Sequence, residues 1–147
     1  MTSSLIAPEH LDELVEAART VPDGDFVEVG VYRGGSAARL ADVATARGRR
    51  LFLFDTFTGI PVRDEVLDHH QIGDFSDITL EEVQRNVPTG IFRVGVFPET
   101  LTGEVGPIAL AHVDCDQYHS VLACCQALGP RMVDGGVMIF DDAGILN

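Results

Sequence analysis

Five short runs, each almost unbroken in apolar residues, recur along the chain with helix-patterned segments between them. They are DFVEV (Asp25 to Val29), RLFLFD (Arg50 to Asp55), IFRVGV (Ile91 to Val96), IALAHVD (Ile108 to Asp114) and GVMIFD (Gly136 to Asp141). A strand with one wet face alternates apolar and polar side chains. A strand covered on both faces does not, and that is how these runs read. Between them, apolar residues recur at three- and four-residue spacing. Leu11, Leu14, Val15 and Ala18 precede the first run; Ala37, Leu40, Ala41 and Ala44 follow it; Val121, Leu122, Cys125 and Leu128 precede the last. Alternating β and α units predict an α/β fold, a doubly wound and mostly parallel sheet with helices on both faces.

The 147 residues fit one domain, 1–147, long enough to bury a core, and no repeat or linker interrupts them. A net charge of −13 repels phosphate backbones and favours metal ions and cationic small molecules, so nucleic acid is not the expected partner. No apolar stretch approaches the ~20 residues of a membrane span. The start, MTSSLIAPEHLDE, lacks the basic and apolar regions of a signal peptide. Cys115, Cys124 and Cys125 are odd in number and two are adjacent, so no disulfide framework fits; a reducing cytoplasm is expected.

The first strand runs into Glu28-Val-Gly30-Val-Tyr32-Arg-Gly34-Gly35-Ser36, and a helix follows. Gly30 permits a tight turn, Gly34 and Gly35 let a ligand approach the backbone, and the helix start supplies oriented N–H groups. In an open α/β sheet the ligand sits beyond the carboxyl ends of the strands. The spacing is E-x-G-x-x-x-G-G, not G-x-G-x-x-G, and a carboxylate at the strand end suits a cationic ligand better than a pyrophosphate. The second strand ends in Asp55, well placed to accept from two ribose hydroxyls.

A second acidic group follows the fourth and fifth strands, in His112-Val-Asp114-Cys-Asp116 and Asp141-Asp142. If these strands are neighbours, three or four carboxylates gather at one end of the sheet. A divalent cation relieves their repulsion, and an oxygen-only donor set favours Mg²⁺, Ca²⁺ or Mn²⁺ over zinc. Asp114 and Asp116 share a face only if the extended geometry continues past Asp114. His112 reads as a satisfied core residue, His119 as an exposed helix start, and Cys124 and Cys125 as core. His69 and His70 fall in the long connection from Asp55 to Ile78, near the expected mouth of the site. Thr79 and Glu82 read as a capping box opening a helix through Asn86.

Six ordered blocks carry a resemblance: FVEVGVYRGGSA, LFLFDTFTGIP, GDFSDITLEEVQRNV, FRVGVFPETL, HVDCDQYHS and GPRMVDGGVMIFDD. Together they resemble the class I S-adenosylmethionine-dependent methyltransferases, which have a Rossmann-like core. More narrowly, they resemble the macrocin O-methyltransferase (TylF-type) family, which methylates sugar hydroxyls of macrolide antibiotics. The resemblance implies that Glu28, Gly30, Tyr32, Gly34, Gly35 and Ser36 surround the methionine part of S-adenosyl-L-methionine. It implies Asp55 at the ribose, Gly95, Val96 and Phe97 near the adenine, and Asp114, Asp141 and Asp142 as Mg²⁺ ligands. The acceptor implied is a small hydroxylated molecule, and Asp114, His69 and His70 are the candidates for the base that takes its proton. The alternatives are a cofactor-binding remnant without activity and an NAD-linked oxidoreductase.

Class I methyltransferases continue past the fifth strand with a helix and a β-hairpin, whereas this sequence stops at Asn147. The fifth strand is then expected to form an apolar edge that needs cover from a second subunit, a swapped segment or a missing piece of a longer chain, and self-association through it is the expectation.

Overall fold

The computed structural model describes residues 6–59, 71–73 and 76–141. Its elements are α1 (Pro8–Thr20), β1 (Asp25–Val29), α2 (Gly35–Ala46), β2 (Leu51–Asp55), α3 (Leu80–Asn86), β3 (Ile91–Val94), β4 (Ile108–Val113), α4 (Tyr118–Leu128) and β5 (Met132–Phe140), with a 3₁₀ turn at Gly129–Arg131 before β5. All strand pairs are parallel and their order is β3-β2-β1-β4-β5. The order reverses between β1 and β4, which creates the switch point where open α/β sheets bind ligands.

Strand alternation sorts the core into two layers. Phe26, Leu51, Leu53 and Leu110 point toward α1, α2 and α3, meeting Leu14, Val15, Ala18, Leu40, Val83 and Val87. Val27, Val29, Phe52, Phe54, Ala111 and Val113 point the other way, toward Cys124 and Leu128 of α4. The strands β1 and β4 are buried at every position and β2 at all but Asp55. Unbroken apolar runs therefore do mark double coverage for these three. For β3 and β5 the inference fails: both are half-buried or exposed throughout, because among the described residues each has a strand on one side only.

Two further expectations need correction. The apolar run GVMIFD predicts a last strand that begins at Gly136. Instead β5 begins at Met132 and runs through these residues, with the β4–β5 register shifting between Ile108 and Leu110. Gly135, at φ +79, absorbs the irregularity. On α4 the predicted stripe is misplaced. Cys124 and Leu128 are buried with Val121 packed beside them, while Leu122 and Cys125 are exposed. Apolar residues on both sides of the true stripe hid its phase. The Thr79–Glu82 capping box is present in both directions and opens α3 as expected.

Candidate cofactor and metal site

The carboxyl ends of the strands gather the acidic residues. Glu28 lies on the β1 face that otherwise packs apolar side chains against α2, so it is a carboxylate in a core position, fully buried. Opposite it in register on β4 is His112, also buried. Glu28 Oε1 accepts from Ser36 Oγ at 2.6 Å and from His112 Nδ1 at 2.7 Å. Its second oxygen, Oε2, is buried with no hydrogen-bond partner among the described residues. A buried carboxylate oxygen left this way carries a desolvation cost of about 1–3 kcal/mol or more, so a further donor is favoured there.

The His112 ring is pulled in opposite directions. Burial is the largest influence and lowers its pKa; the hydrogen bond and charge of Glu28, then the charges of Asp114 and Asp141, raise it, and the net shift is upward. Val113 and Phe140 are paired, Asp114 N donates to Val29 O at 2.8 Å, and Asp141 N donates to Val113 O at 3.2 Å. Asp114 and Asp141 therefore leave adjacent strand ends side by side. Asp116 does not continue the strand; it takes φ +58, which ends the alternation that would have aligned it with Asp114. Among the described residues no group of three ligating side chains forms a metal site. Asp142, the third expected ligand, lies outside the described residues, as do His69 and His70.

Gly30 is required by the close passage of β1 and β4. Its φ is +88, and a Cβ there would fall 1.9 Å from Asp114 O. The loop then turns into α2 through Gly34, which has φ +79 and no side-chain cap, leaving the first N–H groups of the helix to a ligand or solvent. Gly35 and Ser36 form its buried first turn.

Asp55 ties two loops together. Its Oδ2 accepts from Val31 N at 2.7 Å and Tyr32 N at 3.0 Å, and its Oδ1 accepts from Phe57 N at 2.9 Å. Tyr32 and Phe57 both hold left-handed backbone, at φ +47 and +56. A carboxylate offers about four acceptor sites. Three are taken, which leaves room for one hydroxyl rather than the two expected. This role was invisible in the sequence, because the donors are main-chain groups of two separate loops.

Gly95 N donates to Asp55 O at 3.0 Å, so the end of β3 adjoins the same rim. Val96 is exposed there, and Phe97 turns inward to meet the Phe54 ring edge-on at 5.2 Å between centroids.

Comparison with known proteins fits this arrangement. A family profile for macrocin O-methyltransferase (TylF) matches residues 1–147. The chain belongs to the macrocin O-methyltransferase family. It is 32 % identical to the 8-demethyl-8-(2,3-dimethoxy-alpha-L-rhamnosyl)-tetracenomycin-C 4'-O-methyltransferase of Streptomyces olivaceus, an alignment covering 97 % of this chain and 63 % of that protein. It is 30 % identical to the demethyldecarbamoylnovobiocin O-methyltransferase of Streptomyces niveus, covering 91 % of this chain and 58 % of that one. The solved structure of the O-methyltransferase NovP superposes with a TM-score of 0.75 at 30 % identity, over 91 % of this chain and 63 % of NovP. This macrocin O-methyltransferase family member thus spans about three-fifths of the length of such relatives, and its sheet has the class I methyltransferase topology.

Proposed function

We propose that residues 1–147 form one S-adenosyl-L-methionine-binding unit of a Mg²⁺-dependent O-methyltransferase acting on a hydroxyl of a small molecule, such as a sugar of a natural product. The observation that carries this reading is the meeting, at the β1/β4 switch point, of a glycine loop with acids from four strand ends: Glu28, Asp55, Asp114 and Asp141.

The residues present fit a cationic cofactor. The uncapped start of α2 suits the carboxylate of its methionine part, and Glu28 contributes negative charge from below the loop through Ser36. Gly30, Tyr32, Gly34 and Gly35 shape the loop, and one acceptor site of Asp55 remains for a ribose hydroxyl. Gly95, Val96 and Phe97 border the adenine end. When bound, the cofactor supplies a methyl group on a sulfonium centre. Asp114 and Asp141 are oxygen donors side by side, the chemistry Mg²⁺ prefers, with Asp142 as the third ligand. A bound divalent cation would lower the acceptor hydroxyl's pKa and fix its direction. Asp114, His69 or His70 takes the proton. The net charge of −13 supports a partner other than nucleic acid.

No described helix is long and apolar enough to cross a membrane. The odd number of cysteines, two of them adjacent, supports a reducing cytoplasm. The nine-residue β5, an edge among the described residues, supports self-association of the chain.

Calorimetric titration with S-adenosylhomocysteine, with and without Mg²⁺, tests the reading. Binding of the nucleoside, and Mg²⁺-dependent methyl transfer to a hydroxylated test acceptor, are expected. Affinity for NAD alone would overturn it. Asp141→Asn is expected to abolish metal-dependent turnover and spare cofactor binding; unchanged turnover would remove the metal from the mechanism.

A further inference from the structure

We infer that Asp77, from the GDFSD block, is a positioning residue for the cofactor loop, acting through Tyr32 and Arg33. The inference rests on the S-adenosylmethionine reading above, and assigns to that site a residue from outside the strand ends.

The loop is held on two sides. From the sheet, Asp55 takes the N–H groups of Val31 and Tyr32. From outside, Asp77 Oδ1 accepts the Tyr32 hydroxyl at 2.8 Å, and Asp77 Oδ2 pairs with the Arg33 guanidinium. That guanidinium also lies over the Tyr32 ring, 5.3 Å from its centre. The contacts continue in order along both segments. Asn86 Nδ2 donates to Arg33 O at 3.3 Å, and Val83 and Val87 close over Gly34, where a Cβ would meet them at 3.0 and 3.2 Å. Three successive loop residues, 32 to 34, are therefore gripped by the segment 77–87. The Thr79–Glu82 box fixes where α3 starts, three residues after Asp77.

Asp77 and Arg33 are largely exposed, so their pairing adds little to global stability. Its effect falls on the loop. Tyr32 sits in left-handed backbone without being glycine, a conformation that persists only when its surroundings impose it. A loop that adopts the binding shape only part of the time binds more weakly by that fraction.

Titration with S-adenosylhomocysteine decides the matter. Asp77→Asn and Tyr32→Phe are each expected to weaken binding about tenfold, corresponding to a loop in the binding shape about one-tenth of the time. The double variant is expected to be no weaker than either single one, since both break one link. Asp77→Glu is expected to recover part of the affinity, and the urea midpoints of all variants to match the wild type. Wild-type affinity in Asp77→Asn, or losses that multiply in the double variant, would overturn the inference while leaving the cofactor reading intact. A lowered midpoint that tracks the lost affinity would assign Asp77 a merely structural role. A wild-type chain that binds no S-adenosylhomocysteine would sink both readings together.

Discussion

The two ends of this sheet treat acidic residues in opposite ways. At the amino end, charge is cancelled by arginine. Asp25 opens β1 and receives Arg50 through two bonds, Nε to Oδ1 at 2.9 Å and a terminal nitrogen to Oδ2 at 2.6 Å. Gly106 N adds a third at 2.7 Å, and Asp23 nearby pairs with Arg49. At the carboxyl end, Asp55 is held by main-chain N–H groups, and Glu28 by a hydroxyl and a histidine. Charge at the first end is consumed in closing the fold. At the second it is oriented by main-chain, hydroxyl and imidazole donors, with no arginine on Glu28 or Asp55 among the described residues. The cleft lined by Asp23, Asp25, Arg49 and Arg50 at the amino end is accordingly a seam between ion pairs.

Four measurements would break or sharpen that contrast. The largest effect is expected from Gly30→Ala, which combines a 1.9 Å clash with main chain and a φ of +88. A loss of about 3 kcal/mol or more, or failure to fold, is expected by chemical denaturation. Gly24→Ala at the amino end, where the Cβ would lie 2.8 Å from Ala109 N, is expected to cost less, about 1–3 kcal/mol. Equal losses would erase the distinction. Second, Arg50→Met strands the nearly covered Asp25 carboxylate. Because Arg50 itself is half exposed, the expected loss is about 1–3 kcal/mol, below that of a fully buried pair, with S-adenosylhomocysteine affinity unchanged. Third, Asp55→Asn turns one acceptor oxygen into a donor facing N–H groups. We expect about 1–2 kcal/mol of stability to go and affinity to fall about tenfold or more, the reverse emphasis to Arg50→Met. Affinity preserved in Asp55→Asn would show that the rim tolerates a loose loop.

The smallest effect concerns acid. The Tyr32 hydroxyl, the main-chain hydrogen bond and Arg33 together hold the Asp77 carboxyl below its ordinary 3.8, with the Tyr32 bond the largest influence. A folded pKa below the unfolded one gives stabilisation that is present above the unfolded value and is lost as pH falls through the folded value. The acid limb of an unfolding profile should therefore be slightly less steep in Asp77→Asn, with the slope near neutral pH unchanged. A change of slope near neutrality would point to a different titrating group.

How much of this was legible in the residues differs from place to place. The central strands were, because double burial selects apolar residues at most positions, Glu28 and His112 being exceptions, and leaves an unmistakable run. The edge status of β3 and β5 was not, since IFRV and GVMIF carry the same apolar run with a strand on one side only. Acids at strand ends were visible because each follows an apolar run directly. Their partners were not: Asp55 binds N–H groups, which every residue possesses, and Glu28 meets His112 across two strands far apart in sequence. The phase of α4 was lost for a simpler reason. Val121, Leu122, Cys124, Cys125 and Leu128 offer two overlapping stripes, and only the sheet decides between them.

The pairing of Glu28 with His112 ties together two short motifs that stand 84 residues apart. Replace the glutamate with an apolar residue, and an imidazole is stranded in the interior; replace the histidine, and the carboxylate is. Neither half can be exchanged gradually, so a lineage that altered one would have to alter its counterpart within a few substitutions. The glycine loop after β1 and the acidic end of β4 are in this sense constrained to change together.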